Sequence, residues 1–220
     1  SQQRLIIEEL ATHQLSLLKT KKARKSKTTN KFKIKTNLHN NLLISLNFDL
    51  TEAQSRCIRE IHEDLSNTEP MLRLLQGDVG SGKTIVAVFS LIQAVENDFQ
   101  TAVMAPTEIL ARQHLQNFTE YLNPLSIQIA FLSGSQNTQE RREQLELIES
   151  GKAKVIIGTH ALFQESVNFE NLSLVIIDEQ HKFGVHQRLS LSQKANKTPH
   201  QLVMTATPIP RSLTMSAYAD

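Results

Sequence analysis

Gly77-Asp78-Val79-Gly80-Ser81-Gly82-Lys83-Thr84 follows the apolar run Met71–Leu75 and fits the pattern G-x-x-x-x-G-K-[ST]. In that pattern consecutive backbone N–H groups wrap phosphate oxygens, Lys83 reaches the terminal phosphates and the Thr84 hydroxyl ligates Mg²⁺. The glycines permit backbone angles that a Cβ would forbid, and a helix starting at Thr84 directs its positive end at the anion. A second group of chemically useful side chains, Asp178-Glu179, stands at the end of the apolar run Leu174–Ile177. An acid at the tip of a buried strand beside a phosphate loop is the arrangement in which Asp178 holds Mg²⁺ and Glu179 orients and polarises an attacking water. Together the two groups point to a bound nucleoside triphosphate and phosphoryl transfer to water.

These residues need elements to hold them. Thr51 is placed to N-cap a helix running to about Asn67, and Met71–Leu75 reads as a buried strand entering the phosphate loop. Helices are expected over Thr84–Glu96, Thr107–Leu122 and Thr138–Glu149. Strands are expected over Thr101–Ala105, Ile127–Leu132, Lys154–Ile157, Leu174–Ile177 and Gln201–Met204. Strands rich in Val and Ile, without clean two-residue alternation, imply a mostly parallel sheet covered by helices on both faces. In such an α/β fold ligands gather at the carboxyl ends of the strands, where both groups above fall.

Before Phe48 the texture differs. Arg4–Lys19 carries Ile6, Leu10, Leu17 and Leu18 at near-helical spacing, and residues from Thr20 to Asn47 then lose periodicity and fill with Lys, Thr and Asn. This divides the chain into an N-terminal helix with a mobile basic linker, residues 1–47, and a nucleotide-binding domain, residues 48–220.

Charge supports the division. The 220 residues carry a net +2, yet Lys19–Lys35 holds eight Lys and one Arg with no acid, so the remainder sums to −7. The basic stretch is either a solvated tether or a phosphate contact, and the acidic remainder argues against a global positive field for nucleic acid. No apolar run approaches the roughly 18 residues of a membrane helix, and no secretory pattern opens the chain. With one cysteine, Cys57, an internal disulfide is impossible and a cytoplasmic setting is expected.

Five longer strings, two of them containing the groups above, occur in order: QGDVGSGKT, MAPTEIL, GTHALFQE, VIIDEQHKFGVHQR and MTATPIPRSLTMSAYAD. With them residues 48–220 resemble the first RecA-like, P-loop motor domain of superfamily-two helicases, and within that superfamily the RecG-type ATP-dependent DNA helicases. The DNA translocases that couple transcription to repair share GDVG and TATPIPR and are the nearest alternative; a non-catalytic ATP-binding interaction module is another.

The resemblance implies a cast of residues. Gln54 stands where an adenine-reading glutamine is expected, with Phe48 as a stacking neighbour, beside the phosphate loop Gly77 to Thr84. Lys83, Asp178, Glu179, Gln180 and His181 would carry catalysis, with Gln180 and His181 linking the γ-phosphate site to Thr205 and Thr207. Thr205, Ala206 and Thr207 would couple nucleotide state to DNA movement. Pro106, Thr107, Ser133, Gly134, Gly158, Thr159 and His160 would contact the DNA backbone, although Thr107 also suits a helix N-cap and Gly158 a turn.

The implied cofactors are ATP and Mg²⁺, and the implied partners are branched DNA with wedge and second RecA-like domains. Because the chain ends at Asp220, the reading expects a fragment lacking the second domain's arginines, each worth about 10³–10⁵ in rate. Such a fragment would bind Mg-ATP and hydrolyse it negligibly.

Overall fold

The computed structural model describes residues 28–179 and 194–206. Its centre is a six-stranded sheet in which every pairing is parallel. The strands are β1 (Leu72–Gln76), β2 (Gln100–Met104), β3 (Ile129–Leu132), β4 (Val155–Gly158), β5 (Leu172–Asp178) and β6 (His200–Thr205), in the order β1-β6-β5-β2-β4-β3. The helices are α1 (Asn37–Ser45), α2 (Glu52–Leu65), α3 (Lys83–Glu96), α4 (Glu108–Leu122) and α5 (Thr138–Glu149), with short 3₁₀ turns at Asn123–Leu125 and His160–Phe163.

The sheet is buried on both faces because its side chains alternate between two cores. Val103, Val155, Ile157, Leu174, Ile176 and Leu202 pack with the wholly buried α3 stretch Ile85–Ala94. Their neighbours Ala102, Ile156, Val175, Ile177 and Val203 pack with Ile148 and Leu162 on the other side. Both alternating sets are apolar, which is why the sequence shows continuous runs. β1 departs from the buried-strand expectation: it is an edge among the described strands, and its residues are half-buried or exposed.

Register decides what meets at the carboxyl edge. Gln76 pairs with Thr205, Asp178 with Met204, Met104 with both Ile177 and Gly158, and Leu132 with Gly158. All six strands therefore end together, and the segments after them share one rim.

Residues 28–47 correct the expectation of a mobile linker over its described part. Helix α1 lies within it, and Phe32 and Leu42 are fully buried. From Thr28 the chain straps the amino edge. Asn30 Nδ2 donates to Ser173 Oγ at 2.7 Å, Phe32 N donates to Leu65 O at 3.0 Å, and the Phe32 ring meets Phe99 and His200, each at 5.0 Å between centroids. The buried His200 accepts from Met71 N at 3.1 Å through Nδ1 and, in the matching tautomer, donates to Asn30 O at 2.9 Å through Nε2. Burial holds the imidazole below its usual pKa, and the Asn30 bond only partly opposes this. Lys35 donates to the Glu96 carbonyl, so this end of the basic stretch is anchored. The expected helix Arg4–Lys19 and the basic residues up to Lys27 lie outside the described residues.

Candidate nucleotide site

The phosphate loop spans the gap between β1 and α3. Gly77 N donates to Thr205 O at 3.3 Å, tying the loop's start to β6, and Ser81 N donates to Asp78 O at 3.1 Å. Gly82 takes φ of 82°, in the left-handed region, and a Cβ there would lie 2.2 Å from Gln54 Nε2. The conformation therefore favours glycine, and any Cβ would also displace the Gln54 amide. Lys83 folds its ammonium back over the loop, donating to Gly77 O at 2.6 Å and Asp78 O at 2.9 Å.

The helix starts differ instructively. α2 and α5 each carry a reciprocal capping box, from Thr51 with Gln54 and from Asn137 with Glu140, and Thr107 Oγ1 accepts from Leu110 N at the start of α4. At α3 the cap is Gly82, with no side-chain cap bond. Ile85 N donates to Gly82 O at 3.2 Å, and the earlier N–H groups, those of Lys83 and Thr84, are open to an outside acceptor, which suits an anion.

Across the rim, β5 delivers the acids. Asp178 Oδ2 accepts from His114 Nε2 at 2.7 Å. Glu179 has φ of 50°, a left-handed backbone uncommon for a side chain of this size. It is held there from β6: its N–H donates to Met204 O at 2.9 Å, and its carboxylate accepts from Ala206 N at 3.0 Å and Thr205 Oγ1 at 3.3 Å. The 205–206 segment thus meets the acid pair through Glu179. Gln180, His181 and Thr207 lie outside the described residues.

Two adjoining pockets flank the loop, one of them on the side of the acids. One, of about 460 Å³, is lined by Lys83, Thr84, His114, Asp178, Glu179 and Ala206. The other, of about 470 Å³, is lined by Phe48, Gln54, Gly82, Thr84, Asn117 and Tyr121. Gly80, Lys83, Thr84 and Asn117 border both. Gln54 serves three local contacts. Its N–H donates to Thr51 Oγ1, its Oε1 accepts from Thr51 N at 2.9 Å, and its Nε2 donates to Ser81 O at 3.2 Å. One N–H and one lone pair of the amide remain for a base edge.

His114, Asn117 and Tyr121 were missed by motif reading. Their spacing of three and four residues puts them on one face of α4, a signal that was present in the sequence without saying what the face would meet. Toward the far end of the rim stand the remaining site residues. Thr107, Gly134 and His160 are exposed and Pro106 is half-buried, whereas Ser133, Gly158 and Thr159 are buried. Gly158 is packed so closely that a Cβ would meet Leu132 O at 2.3 Å. The Ser135 hydroxyl and Arg112 hold the Glu108 carboxyl below its usual range, joining the 133–135 loop to the start of α4.

An all-parallel sheet between helices, with a glycine loop after an edge strand and an acid pair across the rim, defines a P-loop nucleotide-binding domain of the RecA-like kind. The chain belongs to the DEAD/DEAH box helicase family, whose pattern matches residues 51–216. Relatives described as ATP-dependent DNA helicase RecG are 49% identical in Haemophilus influenzae and 50% identical in Escherichia coli K12, each over 100% of this chain and 32% of the relative. The Aquifex aeolicus RecG is 47% identical over 99% of the chain and 28% of its own length. The chain thus spans about a third of these relatives. Among solved structures, RecG bound to a three-way DNA junction superposes with a TM-score of 0.84 at 43% identity, covering 96% of this chain and 28% of that one. The DUF1998 helicase MrfA, with a TM-score of 0.64 at 18% identity, shares the fold.

Proposed function

We propose that this chain is the ATP-binding first motor domain of a RecG-like DNA helicase, acting in the cytoplasm with wedge and second RecA-like domains to remodel branched DNA. The carrying observation is the pair of adjoining pockets at the loop: in one the start of α3, without a side-chain cap, faces the Asp178–Glu179 pair, and the other, which shares Gly80, Lys83, Thr84 and Asn117 with it, is lined by Gln54 and Phe48.

In this reading Phe48 stacks on adenine and the spare donor and acceptor of Gln54 read its edge, while the amides of residues 77–84 and the Lys83 ammonium hold the phosphates. To do so Lys83 exchanges two carbonyl partners for phosphate oxygens, a stronger charge-assisted contact. The Thr84 hydroxyl and Asp178 carboxylate suit Mg²⁺, which characteristically takes one or two protein oxygens beside the phosphates and there neutralises developing charge. Glu179 orients the water. Its oxygen bonds to the γ-phosphorus as the bond to the bridging oxygen breaks, leaving ADP and phosphate, and its proton passes to the product phosphate or solvent. Because Glu179 is bonded to Thr205 and Ala206, a change at the γ-phosphate reaches β6 directly. Gln180, His181 and Thr207 join this linkage in the same reading.

The far rim, from Pro106–Thr107 through Ser133–Gly134 to Gly158–Thr159–His160, contacts the sugar-phosphate backbone. Buried Ser133 and Thr159 shape their loops, and exposed Thr107, Gly134 and His160 meet the strand.

Equilibrium binding of the chain to single-stranded, duplex and three-way-junction DNA, with and without Mg²⁺ and a non-hydrolysable ATP analogue, tests the proposal. Nucleotide-sensitive binding with preference for the junction is expected. Equal affinity for all three DNAs, insensitive to nucleotide, overturns the branched-DNA assignment.

A further inference from the structure

His114 has no part in the cast of residues above, yet it makes the closest described contact to the carboxylate assigned to Mg²⁺. It is 9% exposed, with Nε2 2.7 Å from Asp178 Oδ2. Its ring stacks on the fully buried Phe118, centroids 5.8 Å apart and planes within 23°. Its Nδ1 is buried and has no hydrogen-bond partner among the described residues. Burying an imidazole costs free energy unless its polar atoms are paired, and the pairing found here is with Asp178.

α4, which carries His114, begins where the far rim begins. Its N-cap is the exposed Thr107, and its first residue, Glu108, accepts from Ser135 Oγ at 2.5 Å and from Arg112 Nη2 at 2.8 Å. Seven residues of helix, about 10 Å of axial rise, separate Thr107 from His114. A hydrogen-bonded helix transmits axial displacement over that distance because deforming it breaks backbone bonds.

We propose that His114 is a positioning residue. Its Nε2–H fixes Asp178 so that the other carboxylate oxygen faces the metal site, and α4 carries displacement at the Thr107 and Ser135 end to that carboxylate. The inference rests on the proposed function, since it takes the far rim as the phosphate contact and Asp178 as the metal ligand. It adds a link between DNA contact and nucleotide site that runs through α4, separate from the β6 link through Thr205.

The test is a titration of Mg²⁺ into the chain with a fluorescent ATP analogue, with and without three-way-junction DNA, for the wild type, His114→Ala, His114→Phe and His114→Gln. Removing an outer-sphere partner typically costs about 10–100-fold in metal affinity. His114→Ala and His114→Phe are therefore expected to raise the Mg²⁺ midpoint for nucleotide binding by about 10–100-fold, leave affinity in EDTA within about twofold, and lose the junction-induced shift of the midpoint. His114→Phe keeps a ring against Phe118 and so separates lost donation from lost packing. His114→Gln, whose amide N–H can donate to Asp178, recovers most of both effects.

A wild-type midpoint in His114→Phe, or an equal loss of affinity in EDTA, overturns the positioning role. A wild-type chain whose midpoint ignores junction DNA overturns the relay. A wild-type chain that binds no nucleotide at any Mg²⁺ concentration overturns the proposed function itself and this inference with it, an outcome told apart by the wild type alone.

Discussion

The two edges of the sheet use polar groups in opposite ways. At the amino edge they face inward. His200 joins Met71 to Asn30, Asn30 reaches Ser173, and the buried Gln100 donates to Ile148 O at 2.8 Å and Ala153 O at 3.0 Å while accepting from Asn171 N at 3.1 Å. At the carboxyl edge they face the pockets: the start of α3 has no side-chain cap, and Glu179 has a left-handed backbone. Buried polar groups stabilise only when paired, so the closed edge contributes stability, whereas the open edge leaves the start of α3 without the side-chain cap that α4 and α5 keep. One register of parallel strands supports both.

The largest expected effect comes from breaking the closed edge. His200→Ala leaves Met71 N–H and the Asn30 carbonyl without their partner and opens a cavity, a cost of about 2–4 kcal/mol. At roughly 2–4 °C per kcal/mol for a domain of this size, thermal denaturation should register a fall of roughly 4–16 °C, with nucleotide affinity within about twofold of wild type. Lost affinity at an unchanged melting temperature would reverse the assignment of the two edges.

The complementary change at the open edge is Lys83→Ala. Loss of one charge-assisted contact, about 1.5–3 kcal/mol, predicts about 10–100-fold weaker nucleotide binding by fluorescence titration. The melting temperature should move by less than about 2 °C, because among the described residues Lys83 bonds only loop carbonyls.

Gly82→Ala sharpens the comparison at the point where packing and site meet. The left-handed backbone costs about 1–2 kcal/mol, and displacing Gln54 disturbs the α2 cap as well. Stability and nucleotide affinity should therefore fall together, and a drop in only one would separate the two roles of the loop.

The smallest effect concerns pH. Burial lowers the pKa of His200 and His62, and of His39, where Glu96 partly opposes it. Below the ordinary histidine range the unfolded chain binds protons that the folded chain does not, so stability falls as pH drops from 7 toward 5. The slope of melting temperature against pH should be shallower in His200→Asn, which keeps a donor and an acceptor but cannot titrate. An unchanged slope would exclude His200 as a source.

Much of this was legible in the chain. α5 falls at Thr138–Glu149 as its pattern predicts, and most strands lie within one or two residues of expectation, because apolar runs and caps are local signals. Residues 28–47 were misread because their apolar positions are sparse. Phe32 and Leu42 are buried by what they meet, Phe99, His200 and α3, and not by any period of their own. β1 looked buried because a half-covered edge strand and a central strand share the same apolar composition.

The phosphate loop and acid pair were determined by sequence alone, since their chemistry depends on residue type and short spacing at the end of a strand. Tertiary structure decided which residues stand between them. The parallel register sets Thr205 and Ala206 against Glu179, and the path of α4 sets His114 on Asp178 and brings Tyr121 to line one pocket with Gln54. These contacts join residues as many as 64 positions apart in sequence, as with His114 and Asp178. No local propensity encodes such a distance; it is closed only when two apolar faces of one sheet are buried together.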